Sequence, residues 1–155
     1  MRITVAGSLV AMFVAITLST GCSIAGQLAD PPATAPIGTW LFQNKRFAIE
    51  IDPCGDRLCA KITWLQAPRD SRGLMRVDSK NPDPKLRSQP VLGLTILSGL
   101  RHTSGNKWED GQIYNPEDGN CYNASMSMND DHTIRIRAYL GVPLFGKTLS
   151  LTRQG

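Results

Sequence analysis

Histidine is scarce in this sequence, and the residue patterns of metal centres and catalytic sites are missing with it. The 155 residues include two histidines, His102 and His132. Neither has a second histidine or a carboxylate at the spacing of a zinc site, so we expect surface histidines, no metal and no cofactor. No nucleophile, base and orienting group occur in one neighbourhood. No catalytic residue is therefore predicted, and an enzyme ranks third among the functions considered.

Runs of like charge are also absent. The formal net charge of +4 is spread along the chain instead of being concentrated in one segment. A dedicated nucleic-acid surface would show clustered lysine and arginine, so nucleic acid is not an expected partner. The basic residues are interpreted as part of a solvated exterior.

The longest apolar run lies near the N-terminus, where Arg2 precedes residues 3–18. It is shorter than the about 20 residues of a membrane-spanning helix, and small residues follow it, which predicts a secretory signal peptide over residues 1–25. Cleavage before Cys22 would give a lipoprotein anchored in the outer membrane through that cysteine. Cleavage after Ala25 would leave no anchor. Both alternatives predict export to the periplasm or cell envelope.

The segment after the apolar run is rich in proline and alanine. Residues 26–36 are predicted to form a flexible leader, because they have too few large side chains to bury. Residues 37–155 are enough for one domain.

Alternation of apolar and polar residues, the pattern of a half-buried strand, recurs throughout residues 37–155. No stretch carries a helical period, and turn-forming residues separate the alternating segments. Antiparallel sheets of this size remove their edges by closing. The pattern therefore predicts an all-β fold, a single eight-stranded antiparallel up-and-down barrel with one long ordered loop. The predicted strands are 38–42, 46–52, 58–65, 91–97, 107–114, 121–128, 133–140 and 147–153.

Two of the four cysteines are placed for a disulfide. Cys54 and Cys59 occupy facing ends of the two strands that flank a tight turn, and an oxidising compartment favours their bond. A metal site there would need further cysteine or histidine ligands nearby. Cys121 begins an alternating segment and is interpreted as an incidental thiol, because a nucleophile would need an adjacent base.

Residues 66–90 form a connection that is long for a compact domain, and its prolines favour order. Asp78, Asn81, Asp83 and Arg87 are candidate ligand-binding groups on a lid over one barrel opening. In the alternative interpretation, Arg87 pairs with Asp78 to hold the loop together, and Asn81 and Asp83 satisfy backbone groups in turns.

Aromatic residues on the predicted strands are the candidate walls of an internal cavity. Small-molecule pockets combine aromatic walls with a few polar groups, although ordinary core packing explains the same residues. The candidates are Trp64, Trp108, Tyr114, Tyr122 and Tyr139.

The order of motifs along the chain resembles an exported bacterial family catalogued as domain of unknown function twenty-one forty-seven. The resemblance extends from Ile37 to the C-terminus, but Cys121 and Leu151 depart from the family pattern. The motifs are Ile51-x-Pro53-Cys54-Gly55, Leu58-Cys59, Trp64-Leu65, Asp78-x-x-Asn81-Pro82, Leu86-Arg87, Pro90-x-Leu92-Gly93, Trp108-x-x-Gly111-x-Ile113-Tyr114-x-Pro116, Gly119, Tyr122, Gly141-x-Pro143-Leu144 and Thr152-Arg153.

The resemblance implies a lipocalin-like (calycin-type) barrel in the cell envelope, without an established activity or ligand. Gly38-x-Trp40 on the first strand and Arg153 on the last are similar to the lipocalin arrangement, which implies that Arg153 stacks on Trp40 at the barrel floor.

The leading hypothesis is a non-catalytic envelope protein that binds a small, partly apolar ligand in its barrel. An eight-stranded barrel can hold one such ligand, or its own side chains can fill it. The main alternative is therefore an envelope interaction module with a solid barrel, whose protein partner is unknown. Membrane contact is expected only through a lipid on Cys22.

Overall fold

The computed structural model describes residues 35–155, which form a closed barrel of eight antiparallel strands in chain order. The predicted signal peptide and Cys22 lie outside the described residues. The all-β prediction of an eight-stranded up-and-down barrel is confirmed. The strands are β1 (Gly38–Phe42), β2 (Phe47–Cys54), β3 (Arg57–Leu65), β4 (Thr95–Ser104), β5 (Lys107–Asn115), β6 (Asn120–Asp130), β7 (Thr133–Tyr139) and β8 (Gly146–Arg153).

Each strand pairs with its neighbours in sequence, and β1 pairs with β8 to close the barrel. This order places successive connections alternately at the two ends of the barrel. The β1–β2, β3–β4, β5–β6 and β7–β8 connections lie at one end, which we call the mouth. The other three turns lie at the opposite end, the floor, where the chain also enters β1 and leaves β8. No helix within residues 35–155 is long and apolar enough to cross a membrane.

The alternation of the strands directs an apolar set into the barrel. Ile134, Ile136 and Leu151 are fully buried. Ile134 pairs with Leu151 across β7 and β8, and Ile136 pairs with Leu149. Burial of such side chains contributes roughly 1.5–3 kcal/mol each. These three residues belong to the core that fills the half of the barrel toward the floor. The other members of this core are Trp40, Ile49, Ile51, Leu97, Leu100, Trp108, Met126 and Met128.

The floor is closed by contacts between both ends of the chain. The guanidinium carbon of Arg153 lies 4.3 Å from the centroid of the Trp40 ring, the stacking that the resemblance implies. Arg153 also donates hydrogen bonds to the carbonyl oxygens of Ile37 and Asp131. The Trp40 indole N–H donates a 2.8 Å hydrogen bond to the carbonyl oxygen of Pro36, which adds a further contact to the floor.

The fourth strand differs from its prediction. The sequence predicts 91–97, whereas β4 covers Thr95–Ser104. Gly93 has a φ of 89°, which bends the chain before the strand begins. Gly99, at φ 75°, lies at a register shift between β3 and β4, and β4 continues through it without ending. Asp110, at φ 62°, lies at a similar register shift between β5 and β6. A glycine inside a strand often marks such a bulge, although in a sequence it resembles a turn.

The predicted disulfide between Cys54 and Cys59 is present at the floor end of β2 and β3. Within residues 35–155, Cys121 has no disulfide partner, and its side chain is exposed.

Candidate ligand-binding cavity

A cavity of about 1150 Å³ occupies the mouth half of the barrel. It is bounded below by the packed floor half and laterally by the mouth ends of the strands. The four mouth connections surround its opening. Small-molecule sites usually measure about 300–1,000 Å³, so this space is large enough for a ligand of that class.

The inner wall of the cavity is apolar. Phe42 and Phe47 face each other across the β1–β2 connection, with ring centroids 3.8 Å apart. The alternating pattern of the other strands turns aliphatic side chains toward the same space. Those lining it are Ile62, Leu65, Val91, Ile96, Ile113, Ala138 and Leu149.

The rim of the cavity carries charge, and basic side chains outnumber acidic ones. The basic residues are Arg46, Arg72, Arg76, Lys80 and Lys147, and the acidic ones are Asp70, Glu117 and Asp118. Two of the acids are paired with rim arginines. Asp70 lies 3.0 Å from Arg72, and Glu117 lies 3.2 Å from Arg46.

Asp118 is held within its own hairpin. Its Oδ2 accepts hydrogen bonds of 2.8 Å from both the Tyr122 hydroxyl and the Asn115 side-chain amide. Burial would raise the pKa of Asp118, but the hydrogen bonds from the Asn120 N–H, Tyr122 and Asn115 outweigh it and lower this pKa. The Asp118 carboxylate therefore stays ionised and engaged with the β5–β6 turn.

A buried carboxylate fixes the long β3–β4 connection to the barrel. Asp78 is fully buried. Its Oδ1 accepts a 2.7 Å hydrogen bond from the Tyr114 hydroxyl on β5, and its Oδ2 accepts one of 2.7 Å from the Asn81 amide. Burial and this hydrogen bond raise the pKa of Tyr114 to about 12, so the phenol remains a neutral donor at physiological pH.

The same connection touches the β5–β6 turn through its backbone. Gly119 has a φ of 77°, and a Cβ at this position would lie 2.1 Å from the carbonyl oxygen of Lys80. Only glycine permits this approach. The Tyr114–Asp78 hydrogen bond and the Lys80–Gly119 contact together hold the long connection at the side of the mouth.

The β7–β8 connection forms an apolar lip on the opening. Leu140 and Phe145 line the cavity entrance while remaining largely exposed, and Phe145 is 79% exposed. Arg137 on β7 fixes this lip by donating hydrogen bonds to the carbonyl oxygens of Pro143 and Leu144. The lip is thus held in its exposed position instead of folding into the barrel.

Comparison with known proteins identifies the family. A family model described as "Uncharacterized protein conserved in bacteria (DUF2147)" matches residues 38–153. The chain belongs to the DUF2147 family. No curated protein matches the sequence.

The barrel of this DUF2147 protein is similar to a solved structure titled "Protein HP1028 from the human pathogen Helicobacter pylori belongs to the lipocalin family". The two share 23% sequence identity and a TM-score of 0.66, over 77% of this chain and 82% of that one. This similarity shows a lipocalin-like fold, and the fold is compatible with ligand binding.

The structure brings only some of the predicted ligand-binding residues to the cavity of this DUF2147 barrel. Tyr114, Tyr122 and Tyr139 line it. Asp78 and Asn81 are buried behind the wall, where they support Tyr114. They hold the loop instead of facing the cavity.

Arg87 is exposed and does not line the cavity. The suggested ion pair between Arg87 and Asp78 is absent, because Tyr114 and Asn81 occupy the Asp78 carboxylate. The Arg87 Nε donates instead to the carbonyl oxygen of Asn81, at 2.8 Å, which braces the turn.

Neither candidate tryptophan lines the cavity. Ile62 pairs with Ile49 and Trp64 pairs with Ala48, so Thr63 has no opposite residue on β2. This one-residue bulge reverses the alternation, which turns Leu65 inward and leaves Trp64 47% exposed. Trp108 is buried in the floor half, opposite Met126.

Sequence reasoning did not identify the basic rim or the Phe42–Phe47 wall. The basic rim residues come from the β1–β2 connection, the β3–β4 connection and β8, and they have no common motif. Phe47 could be found from its place at the start of an alternating segment, but its position at the mouth depends on barrel closure.

Proposed function

We propose that this protein is an exported, non-catalytic barrel that binds one small, partly apolar ligand in the mouth cavity. The observation that carries the proposal is the cavity itself, about 1150 Å³ with an aliphatic and aromatic inner wall. Apolar surface that a ligand removes from water contributes roughly 25 cal/mol per Å². A cavity with such a wall therefore favours an apolar group over water.

The cavity also argues against the alternative function, an interaction module with a solid barrel. Side chains can fill an eight-stranded barrel completely, and here they fill the floor half. In the mouth half, the space is bordered by the small side chain of Ala138 and by the pinned long connection, which stays at the side of the opening. This arrangement supports a ligand-binding site more than a solid barrel.

Export belongs to the same proposal. The disulfide between Cys54 and Cys59 is typical of oxidising compartments such as the periplasm. Together with the apolar N-terminal run it supports delivery to the cell envelope, with or without a lipid on Cys22. Intact-mass analysis of the native protein tests this, because export requires a mass that lacks at least residues 1–21.

Binding is tested with N-phenyl-1-naphthylamine, a neutral apolar fluorophore whose emission rises on leaving water. We expect saturable enhancement with the purified protein. The fluorophore's own emission is the readout, because none of the three tryptophans within residues 35–155 lines the cavity.

A blocking variant locates the site. Ala138→Phe places a ring in the cavity and should weaken fluorophore binding by about tenfold or more, a change of about 1.4 kcal/mol. Gln112→Phe is the matched control, because Gln112 is exposed and pairs with Ser98 and Asn123 on the outer face of the barrel. No saturable binding by the wild-type protein, or equal binding by both variants, would contradict the proposal.

A further inference from the structure

We propose that the ligand is a single-chain amphiphile with an anionic headgroup, whose tail enters the barrel and whose headgroup meets the basic rim. This inference rests on the proposed function, since it assigns the chemical class of the ligand to that cavity. It is carried by the distribution of charge around the opening.

The acidic side chains of the rim are already engaged. Asp70 is paired with Arg72 and also accepts hydrogen bonds from the backbone N–H groups of Arg72 and Leu74. Glu117 is paired with Arg46. Asp118 is bound by its own hairpin. Asp78 lies behind the wall, where Tyr114 and Asn81 occupy its carboxylate. None of the four has an unengaged carboxylate to offer a cationic ligand.

Three basic side chains of the rim have no acidic partner. Arg76, Lys80 and Lys147 line the cavity and form no salt bridge with any residue that the structure describes. Arg76 donates only its Nε, to the carbonyl oxygen of Ala67 at 2.8 Å, so both of its terminal nitrogens remain for another acceptor. Arg76 and Lys80 belong to the long connection and Lys147 to β8, so the three approach the opening from two different elements.

The apolar wall lies deeper in the barrel than the charged side chains of the rim. The wall below the rim consists of Phe42, Phe47, Ile113, Leu149 and their apolar neighbours. A hydrocarbon chain fits this wall, and a terminal anion at the rim would accept charge-assisted hydrogen bonds. A neutral ligand would leave the three cations as they are, and a cationic one would be repelled.

The inference is tested by competition against bound N-phenyl-1-naphthylamine. Decanoate, decan-1-ol and decyltrimethylammonium carry the same alkyl chain length and differ in headgroup charge. We expect decanoate to displace the fluorophore at a concentration about tenfold lower than decan-1-ol, the size of one charge-assisted hydrogen bond. Decyltrimethylammonium should be the weakest competitor.

Substitutions of the unpaired basic side chains test whether they cause the preference for decanoate. Lys147→Gln and Arg76→Gln should each remove most of the preference for decanoate over decan-1-ol. Lys107→Gln is the matched control, because Lys107 begins β5 at the floor end and lies outside the mouth cavity.

A second test needs no variant. Raising the ionic strength from about 0.01 M to about 1 M shortens the screening length from about 30 Å to 3 Å, and it should reduce the preference of the wild-type protein.

The outcomes separate this inference from the proposed function. Equal displacement by all three compounds would overturn the anionic headgroup and leave the ligand-binding barrel intact. A preference for decyltrimethylammonium, or a decanoate preference that survives both substitutions and high salt, would also overturn it. If the fluorophore itself does not bind, the proposed function fails and the inference fails with it.

Discussion

The Tyr114 hydroxyl donates a 2.7 Å hydrogen bond to Asp78 Oδ1, and this bond joins the long β3–β4 connection to β5. The two residues are 36 positions apart in sequence. Asp78 is fully buried, so its carboxylate depends on Tyr114 and Asn81 for hydrogen bonds. The contact holds the long connection against β5, at the side of the mouth.

Tyr114→Phe should destabilise the protein by about 1–3 kcal/mol, because it leaves a buried carboxylate oxygen without its donor. The long connection should also exchange its amide hydrogens faster. Urea unfolding and hydrogen exchange measure the two effects. Tyr122→Phe is the control, since its partner Asp118 is exposed, and it should change stability by less than about 0.5 kcal/mol. Equal losses in the two variants would contradict the role assigned to Tyr114.

The burial of Tyr114 and its hydrogen bond to Asp78 predict an alkaline loss of stability. The pKa of Tyr114 is about 12 in the folded protein, against about 10 for an unfolded tyrosine. Between these values the folded state keeps a proton that the unfolded chain has lost, so stability is complete below pH of about 10 and falls as pH rises toward 12. Urea unfolding at several pH values measures this. Tyr114→Phe should show a flatter dependence, and an unchanged slope would refute the assignment.

Alanine substitutions at two glycines with similar φ values can distinguish backbone strain from a steric clash with a neighbouring segment. Gly119 and Gly141 have φ values of 77° and 69°, so alanine at either costs about 1–2 kcal/mol in backbone strain. A Cβ at Gly119 also meets the Lys80 carbonyl oxygen, whereas nothing lies within 4 Å at Gly141. Gly119→Ala should therefore cost about 1–3 kcal/mol more than Gly141→Ala in urea unfolding. Similar costs would mean that the long connection is not held at this turn.

Much of the barrel could be predicted because its strands are amphipathic. Turn-forming residues separate the alternating segments, and the facing positions of Cys54 and Cys59 follow from one hairpin. The errors come from bulges. The extra Thr63 on β3 turned Trp64 outward, and Gly99 concealed the second half of β4, because a one-residue bulge reverses a two-residue period without an obvious sequence signal.

The candidate site was less predictable than the fold. Aromatic residues on strands are natural candidates for a cavity wall, and Tyr114 and Tyr139 do line the cavity. The partner of Asp78 could not be found, since a contact across 36 residues depends on how the barrel closes. The unpaired state of Arg76 and Lys147 likewise depends on which acids the fold brings near them, and charge counting along the chain does not reveal it.

Thiol labelling tests the cysteine arrangement. Among Cys54, Cys59 and Cys121, we expect alkylation of the native protein without reductant to modify Cys121 alone, because the other two are bonded to each other. Mass spectrometry of the digested protein locates the label. Replacing both Cys54 and Cys59 by serine should cost about 2 kcal/mol, since the closed loop is short. Labelling of Cys54 in the native protein would contradict the pairing.

The most direct test of a ligand-binding mouth is a nuclear magnetic resonance titration of methyl-labelled protein with N-phenyl-1-naphthylamine. We expect saturable shifts and intermolecular Overhauser contacts at the methyl groups of Ile62, Ile113 and Leu149, which line the cavity. Contacts limited to the exposed Val142 and Leu144 of the lip, with the three cavity methyls unperturbed at saturating probe, would contradict it.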